Sequence, residues 1–416
     1  MFKYQVIELG CLEEETRRID MGGDSTPLHG CSTDDFPLSS SAQTPAFLGD
    51  DLSYSEFDQR RMCSVYRQIL QSYHQFQTRI GTLGEAKTRI LSYTPASWIE
   101  NVGGMKLGDY DVPKTTSLVL VGPKCSGKSS LINRISKVFE DDKFASERAQ
   151  VTYNSSVEDG TYFLQEYKIP RGSNSFCLYD TRSLSDVPSI NIDMIKHWIT
   201  KGVRHGEPVI RESDSSSLRD RIKCKARKNS CQLSENRMVN FFIFVVDGLS
   251  VLKSMESDGD DVEKQYTQMI TTAFNCPYLS FKDDKPVVVV THGDLLSLTD
   301  RARVRTHLGE LLGVPPMQQI FDISESDGPE NELMIVDMLR YCLEHADKNV
   351  PHKNRTRIKV FRMSVSACVY LLVLVIAILS VYRHMHVHRD SDSEASDSEH
   401  DVAVDWHSIR HLWYDD

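Results

Sequence analysis

No two cysteines of this chain stand at the two-residue spacing of a zinc knuckle or redox motif. The ten present are scattered from Cys11 to Cys368, which excludes a small disulfide or zinc scaffold and reads as reduced thiols in a cytosolic environment. A basic excess is missing too. With 48 Lys+Arg against 59 Asp+Glu and a net charge of −11, no global field draws in nucleic acid, and any basic site must be local. The opening MFKYQVIELGCLEEETRRID places acids and arginines where a secretory segment needs an apolar run, and Phe2 excludes myristoylation. Long hydrophobic runs are scarce: Met363 to Tyr382 is the one twenty-residue stretch without a charge.

That run is long enough to cross a hydrocarbon core of about 30 Å, at 1.5 Å per residue. Lys353, Arg355, Arg357, Lys359 and Arg362 precede it with no acid among them. The expectation is therefore a single-pass transmembrane helix over 363–382, a basic juxtamembrane segment over 351–362, and a body facing the cytosol. A buried core helix is the alternative. The acidic, serine-rich tail 383–416 reads as disordered.

The remaining length, 40% hydrophobic over 416 residues in all, is ample for a sizeable core. Residues 1–50 mix Gly, Ser, Pro and Asp without apolar periodicity and read as a disordered arm. Within 51–95, Phe57, Val65, Ile69, Tyr73, Phe76 and Ile80 recur at three- and four-residue steps. This predicts an amphipathic helix packed on the main domain, with a partner-binding helix as the alternative. Over 96–350, short β-branched runs such as SLVLVG, FFIFVVDG and KPVVVVTHGD alternate with helical stretches. Nearly all-apolar strands spaced by helices require a sheet covered on both faces, an α/β, doubly wound, mostly parallel P-loop NTPase (G-domain-like) sheet. The stretch 205–238, long and rich in Ser and charge, reads as a surface insertion.

After SLVLV comes Gly122-Pro123-Lys124-Cys125-Ser126-Gly127-Lys128-Ser129-Ser130, which has the full spacing of a phosphate-binding loop. Its glycines let consecutive N–H groups turn toward a β-phosphate, and the helix beginning near Lys128 adds its positive end. Lys128 is expected to bridge the β- and γ-phosphates and Ser129 to ligate Mg²⁺. A second metal-side carboxylate is needed at the end of a neighbouring strand. Asp180 in SFCLYD is preferred, with Asp247 in FFIFVVDG the competitor; neither is followed by glutamate, so the acid pair of many P-loop ATPases is missing. Base recognition falls to Thr291-His292-Gly293-Asp294, where an aspartate is able to accept from the N1–H and N2–H₂ donors of guanine. GTP is expected over ATP.

In GPKCSGKSSLINRI, LYDTRS and VVVVTHGD, taken in order, the chain resembles the TRAFAC class of P-loop GTPases, most like the interferon-induced protein 44 type, and is similar to uncharacterised plant P-loop proteins. The resemblance covers Thr116 to Ala346. It implies GTP/GDP and Mg²⁺ as cofactors, phosphate and metal roles for Gly122 to Ser130 and Asp180, a guanine role for Asp294, and a switch threonine at Thr152. Departures are Ser183 at the glycine position of the Asp-x-x-Gly pattern, His292 for the usual lysine, and no Gln or His beside Ser183 to orient water. A base-contacting loop near Ile323-Ser324-Glu325-Ser326 is poorly matched.

The resulting expectation is a membrane-anchored guanine-nucleotide-binding protein, a slow or partner-dependent GTPase whose segments 151–160 and 181–188 change order, with a homodimer or an effector as partner. The rival readings are a pseudo-GTPase scaffold and, behind it, a P-loop ATPase or small-molecule kinase. No catalytic base is identifiable, and Arg182 reads as a surface residue beside a switch. The basic run from Leu218 to Asn229 reads as a solvated loop, with anionic lipid and then nucleic acid as alternatives.

Overall fold

A computed structural model describes residues 50–102, 104, 106–140, 147–151, 161–229, 235–257, 261–281, 284–353 and 368–383. Two compact units are separable, Met1–His352 and Lys353–Asp416. In the first, α1 (Asp50–Arg79) and α2 (Leu83–Leu91) precede β1 (Thr116–Val121) and α3 (Lys128–Phe139). There follow β2 (Gln165–Ile169), β3 (Phe176–Asp180), α4 (Pro188–Lys201), α5 (Ser216–Asn229), β4 (Phe241–Asp247), α6 (Gly248–Glu256) and α7 (Asp261–Phe274). The chain continues through β5 (Val287–Thr291), α8 (Leu298–Leu312), α9 (Pro316–Gln319), β6 (Ile320–Asp322) and α10 (Pro329–Lys348).

The six strands form one sheet in the order β2-β3-β1-β4-β5-β6, with β2 antiparallel to β3 and every other pairing parallel. The two-residue period of a strand splits its side chains between two cores. Leu118, Leu120, Phe241, Ile243, Val245, Val287 and Val289 face one core with Ile69 and Phe76 of α1, Leu131 and Ile135 of α3, and Leu339 of α10. Their neighbours Val119, Val121, Phe242, Phe244, Val246, Val288 and Val290 face the other with Trp198 of α4, Phe274 of α7 and Leu308 of α8. This two-sided burial is why the strands read as continuous apolar runs. Burial of each large side chain contributes roughly 1.5–3 kcal/mol.

The helix α1 is tied to the far edge of the sheet by polar contacts as well. Tyr73 Oη donates to Asp322 Oδ2 over 3.2 Å, Arg301 pairs with the same carboxylate, and the Arg301 guanidinium lies 5.0 Å above the Tyr73 ring. Burial, the main cause, lifts the Tyr73 hydroxyl to about 12, so it remains a donor at neutral pH. Behind the sheet, fully buried Asp347 accepts from Tyr93 Oη (2.6 Å), Ala96 N (2.9 Å) and Trp98 N (2.9 Å), fixing the chain between α2 and β1.

The described parts of the insertion, 205–229 and 235–238, are built into the domain edge. Val203 bridges Arg237 and Phe163 bridges Pro208, and the basic run Leu218–Asn229 is the helix α5 rather than a loop. Its Leu218 and Ile222 bury against Phe163, a four-residue spacing that the surrounding charges disguise.

The expected membrane anchor is corrected. No helix among the described residues is long and apolar enough to cross a membrane. In the second unit the described helix is 368–383, sixteen residues that rise about 24 Å and fall short of a ~30 Å core. Residues 363–367 lie outside the described residues. The single-pass topology, and the placement of the body on the cytosolic side that followed from it, are therefore unsupported. The arm 1–49, Thr152 with the rest of 152–160, and 384–416 also lie outside the described residues.

Candidate nucleotide site

The loop between β1 and α3 passes at the C-terminal ends of the parallel strands, where an open α/β sheet leaves a crevice. Two glycines fix its path. Gly127 lies in the left-handed region at φ +79° immediately before α3, and Cys125 is held there too at φ +61°. Gly122 sits so close to β4 that a Cβ would penetrate the Val245 carbonyl oxygen and stand 2.8 Å from Ser126 Oγ. No side chain caps α3, so its first-turn N–H groups remain available to an anion, reinforced by the positive helix end.

Lys128 is buried at 8% exposure. Its Nζ donates to the Gly122 (3.1 Å) and Pro123 (2.8 Å) carbonyls, arching over the loop. Burial is the main cause of an ammonium pKa lowered to about 8; Asp180 opposes that shift and the Arg211 guanidinium adds to it. Ser129 Oγ donates to Asp180 Oδ2 over 2.6 Å, and Thr161 Oγ1 donates to the same oxygen at 3.3 Å. Burial pushes the Asp180 carboxyl up, against the Ser129 hydrogen bond and the Lys128 charge.

Among the described residues, Asp180 Oδ1 and Ser126 Oγ are buried without a hydrogen-bond partner. A serine hydroxyl beside a carboxylate with one unmet oxygen is a hard oxygen donor set of the type that suits Mg²⁺, which keeps several waters and uses few protein ligands. Ser129 and Asp180 would hold the ion, and the ion would offset phosphate charge. Asp247, the competing carboxylate, is engaged elsewhere. It caps α6 by accepting from Leu249 N and Ser250 N, both at 3.2 Å, and accepts a 2.8 Å contact from His292 Nδ1.

The base-side motif is joined to the phosphate loop through Thr291, whose Oγ1 donates to the Ser126 carbonyl at 3.1 Å and lies equally far from Val246 O. His292 takes a left-handed conformation at φ +56°, which turns its ring back to Asp247. The hydrogen bond to Asp247, the largest cause, raises the imidazole pKa. The Asp247 carboxyl is lowered despite desolvation, which opposes, because His292 and Ser250 hydrogen-bond to it. Asp294 is exposed and its Oδ1 accepts from Glu325 N at 3.1 Å, so the Asp294 turn and the 323–326 loop meet. That loop is shaped by Asn331, which bonds Ser324 N and O (both 3.0 Å), and by Arg134 donating to Ser324 O at 2.6 Å. Neither contact follows a sequence period, so the poorly matched 323–326 segment gave no sign of them.

The segment after Asp180 differs from its expected surface position. Arg182 is buried at 9% exposure. Its NH1 and NH2 donate to Asp214 at 2.7 and 2.5 Å, NH1 reaches Val209 O at 2.9 Å, and the guanidinium lies 4.9 Å from the Tyr162 ring centre. Arg211, also from the insertion, donates to the Ser183 carbonyl, and Leu184 N donates to Gly122 O at 2.9 Å. Residues 181–184 are thus held between the phosphate loop and the insertion. On the β2 side, Asp180 opens onto a cavity of about 800 Å³ lined by Arg148, Thr161, Tyr167, Arg221 and Lys225, within the size range of small-molecule sites. Arg211 and Asp214 were missed from the sequence because they lie some thirty residues past Asp180, in a segment without a recognisable motif.

No family model and no curated protein matches the chain. Among solved structures it is similar to a probable GTP-binding protein engB, at 15% identity and a TM-score of 0.30, over 55% of this chain and 100% of the other. It is also similar to a chain of the signal recognition particle receptor SRb-GTP/SRX complex from Chaetomium thermophilum, at 13% identity and a TM-score of 0.24, over 51% of this chain and 95% of that one. The likeness to the interferon-induced protein 44 type rests on the motif residues alone.

Proposed function

We propose that this chain is a guanine-nucleotide-binding protein that holds GTP or GDP with Mg²⁺ at the loop Gly122–Ser130, with Asp294 reading the base. The observation that carries this reading is the convergence on one loop of an uncapped helix end, a buried Lys128 ammonium and the Ser129–Asp180 pair. Together they offer donors for phosphate and oxygens for a hard cation. Turnover, in this reading, is slow or depends on a partner, because Ser183 stands where a flexible glycine is expected.

A second reading, a pseudo-GTPase scaffold, draws support from the fixed segment 181–184, whose Arg182 is saturated by Asp214 and Val209. Titration of the full chain with fluorescent GTP and ATP, with Mg²⁺ present, tests the first. GTP is expected to bind at least tenfold more tightly, and Asp294→Asn to abolish that preference. Equal affinity for the two removes the guanine assignment. Unchanged partner binding in Lys128→Ala and Ser129→Ala favours the scaffold.

A further inference from the structure

We propose that Arg211 is the cation that reads the terminal phosphate of a bound nucleoside triphosphate, delivered to the phosphate loop in cis by the 205–238 insertion. The inference rests on the nucleotide reading above.

The contacts form a continuous chain. Arg211 donates to the Ser183 carbonyl. The next residue, Leu184, bonds through its N–H to Gly122 O, and that same carbonyl accepts from Lys128 Nζ at 3.1 Å. The guanidinium of Arg211 is therefore linked, through Ser183 and Leu184, to the Gly122 carbonyl on which the Lys128 ammonium also rests.

Charge balance at this corner is incomplete. Asp214 Oδ1 and Oδ2 are both taken by Arg182, and Oδ2 also accepts the main-chain N–H of Arg211 at 2.7 Å. The carboxylate thus pairs with the Arg182 guanidinium and takes only the main chain of Arg211. Arg211 Nε is buried and has no acceptor among the described residues. Burial, then repulsion from Arg182, lowers the Arg211 pKa to about 10, although Asp214, Asp186 and Tyr162 oppose the shift. Arg211 is half-buried, and a guanidinium whose Nε is buried and unmet carries a cost that a facing anion relieves. A diphosphate seated on the loop amides leaves that demand unmet, whereas a third phosphate supplies the charge.

Arg182 then has a different task. Bidentate to Asp214 and set on the Tyr162 ring, it fixes the turn 211–214 and so positions Arg211. A cis arginine carried on an inserted segment is one of the two known ways in which GTPases meet charge at the γ-phosphate.

The test compares dissociation constants of fluorescent GDP and a non-hydrolysable GTP analogue, with Mg²⁺, for the full chain and for Arg211→Ala, Arg211→Gln and Arg211→Lys. Wild type is expected to prefer the triphosphate by roughly tenfold to a hundredfold, the range of a charge-assisted hydrogen bond. Arg211→Ala should lose that preference with GDP affinity within about twofold of wild type, and Arg211→Lys should recover part of it. Should Arg211→Ala fail to fold, Arg211→Gln carries the comparison, since its amide can still donate to Ser183 O without a charge. A preference retained in Arg211→Gln, or an equal weakening of both nucleotides, overturns the inference and leaves Arg211 a brace for Ser183. Wild type that binds neither nucleotide overturns the nucleotide reading itself.

Discussion

Ser129 Oγ donates to Asp180 Oδ2 across 2.6 Å, joining the first turn of α3 to the end of β3, two strands' width of sheet being shared through the β1–β3 pairing. The bond holds both oxygens where a cation would need them while Asp180 Oδ1 lacks a partner among the described residues. Removing either member, by Ser129→Ala or Asp180→Asn, should erase the Mg²⁺-dependent part of nucleotide affinity. The expected loss is about tenfold to a hundredfold, since bonds to charged groups contribute roughly 1.5–3 kcal/mol. Titration with Mg²⁺ and with a chelator measures it. Identical chelator sensitivity in wild type and both variants would count against a metal role.

Lys128 makes nucleotide binding pH-dependent. Its native pKa of about 8 lies below the ordinary value of 10.5, so between those two values the unfolded chain binds more protons and nucleotide-free stability rises with pH. A polyphosphate favours the ammonium, so binding at pH ~9 takes up a proton and affinity falls as pH climbs above about 8. Calorimetry in two buffers of different ionisation enthalpy detects the uptake. Equal heats in both buffers at that pH would contradict it.

The sequence made the sheet legible where local rules act alone. Leu118 and Val119, or Phe241 and Phe242, alternate between two apolar cores, so their strands are apolar throughout and flanked by helices. The loop was legible because glycine at 122 and 127 answers a steric demand from Val245 and a left-handed turn. Contacts between distant segments were not. Arg182 meets Asp214 in a region where Val203 bridges Arg237, Phe163 bridges Pro208, and Arg237 and His205 bond Glu166 of β2. The apolar character of 363–382 was plain in the letters, but the extent of the helix was not, and 368–383 is too short a span.

The Arg182–Asp214 pair should behave as one unit. Both side chains are buried, at 10% and 4% exposure, so Asp214→Ala leaves the Arg182 guanidinium without its carboxylate and the Arg211 N–H without its acceptor. Breaking a buried pair from one side costs about 3–5 kcal/mol, and Arg182→Met should cost a comparable amount by stranding Asp214. The double variant Arg182→Met/Asp214→Leu is expected to lose well under the sum, because no uncompensated charge remains at that pair. Urea unfolding of the four proteins completes the cycle, and additive losses would show that the two residues act independently.

The His292–Asp247 contact links the base-side turn to the cap of α6 and sets a pH window. Asp247 raises the imidazole above its ordinary 6.5, so that part of the stabilisation is fully present below 6.5 and is lost as pH rises through the native value. The Asp247 carboxyl is held below its ordinary 3.8, so its part is present above 3.8 and is lost as pH falls through the lowered value. The pair is therefore complete between about pH 4 and 6.5. His292→Asn keeps a side chain that tolerates the left-handed backbone at this position and removes the charge. The melting temperature of the variant should fall furthest below wild type near pH ~5.5 and converge toward it as pH rises through the raised imidazole value. Asp247 still accepts from Leu249 N and Ser250 N, which keeps α6 capped, so the change reads the ion pair and not the helix end. A gap in melting temperature that stays constant across this range would mean that the contact carries no charge.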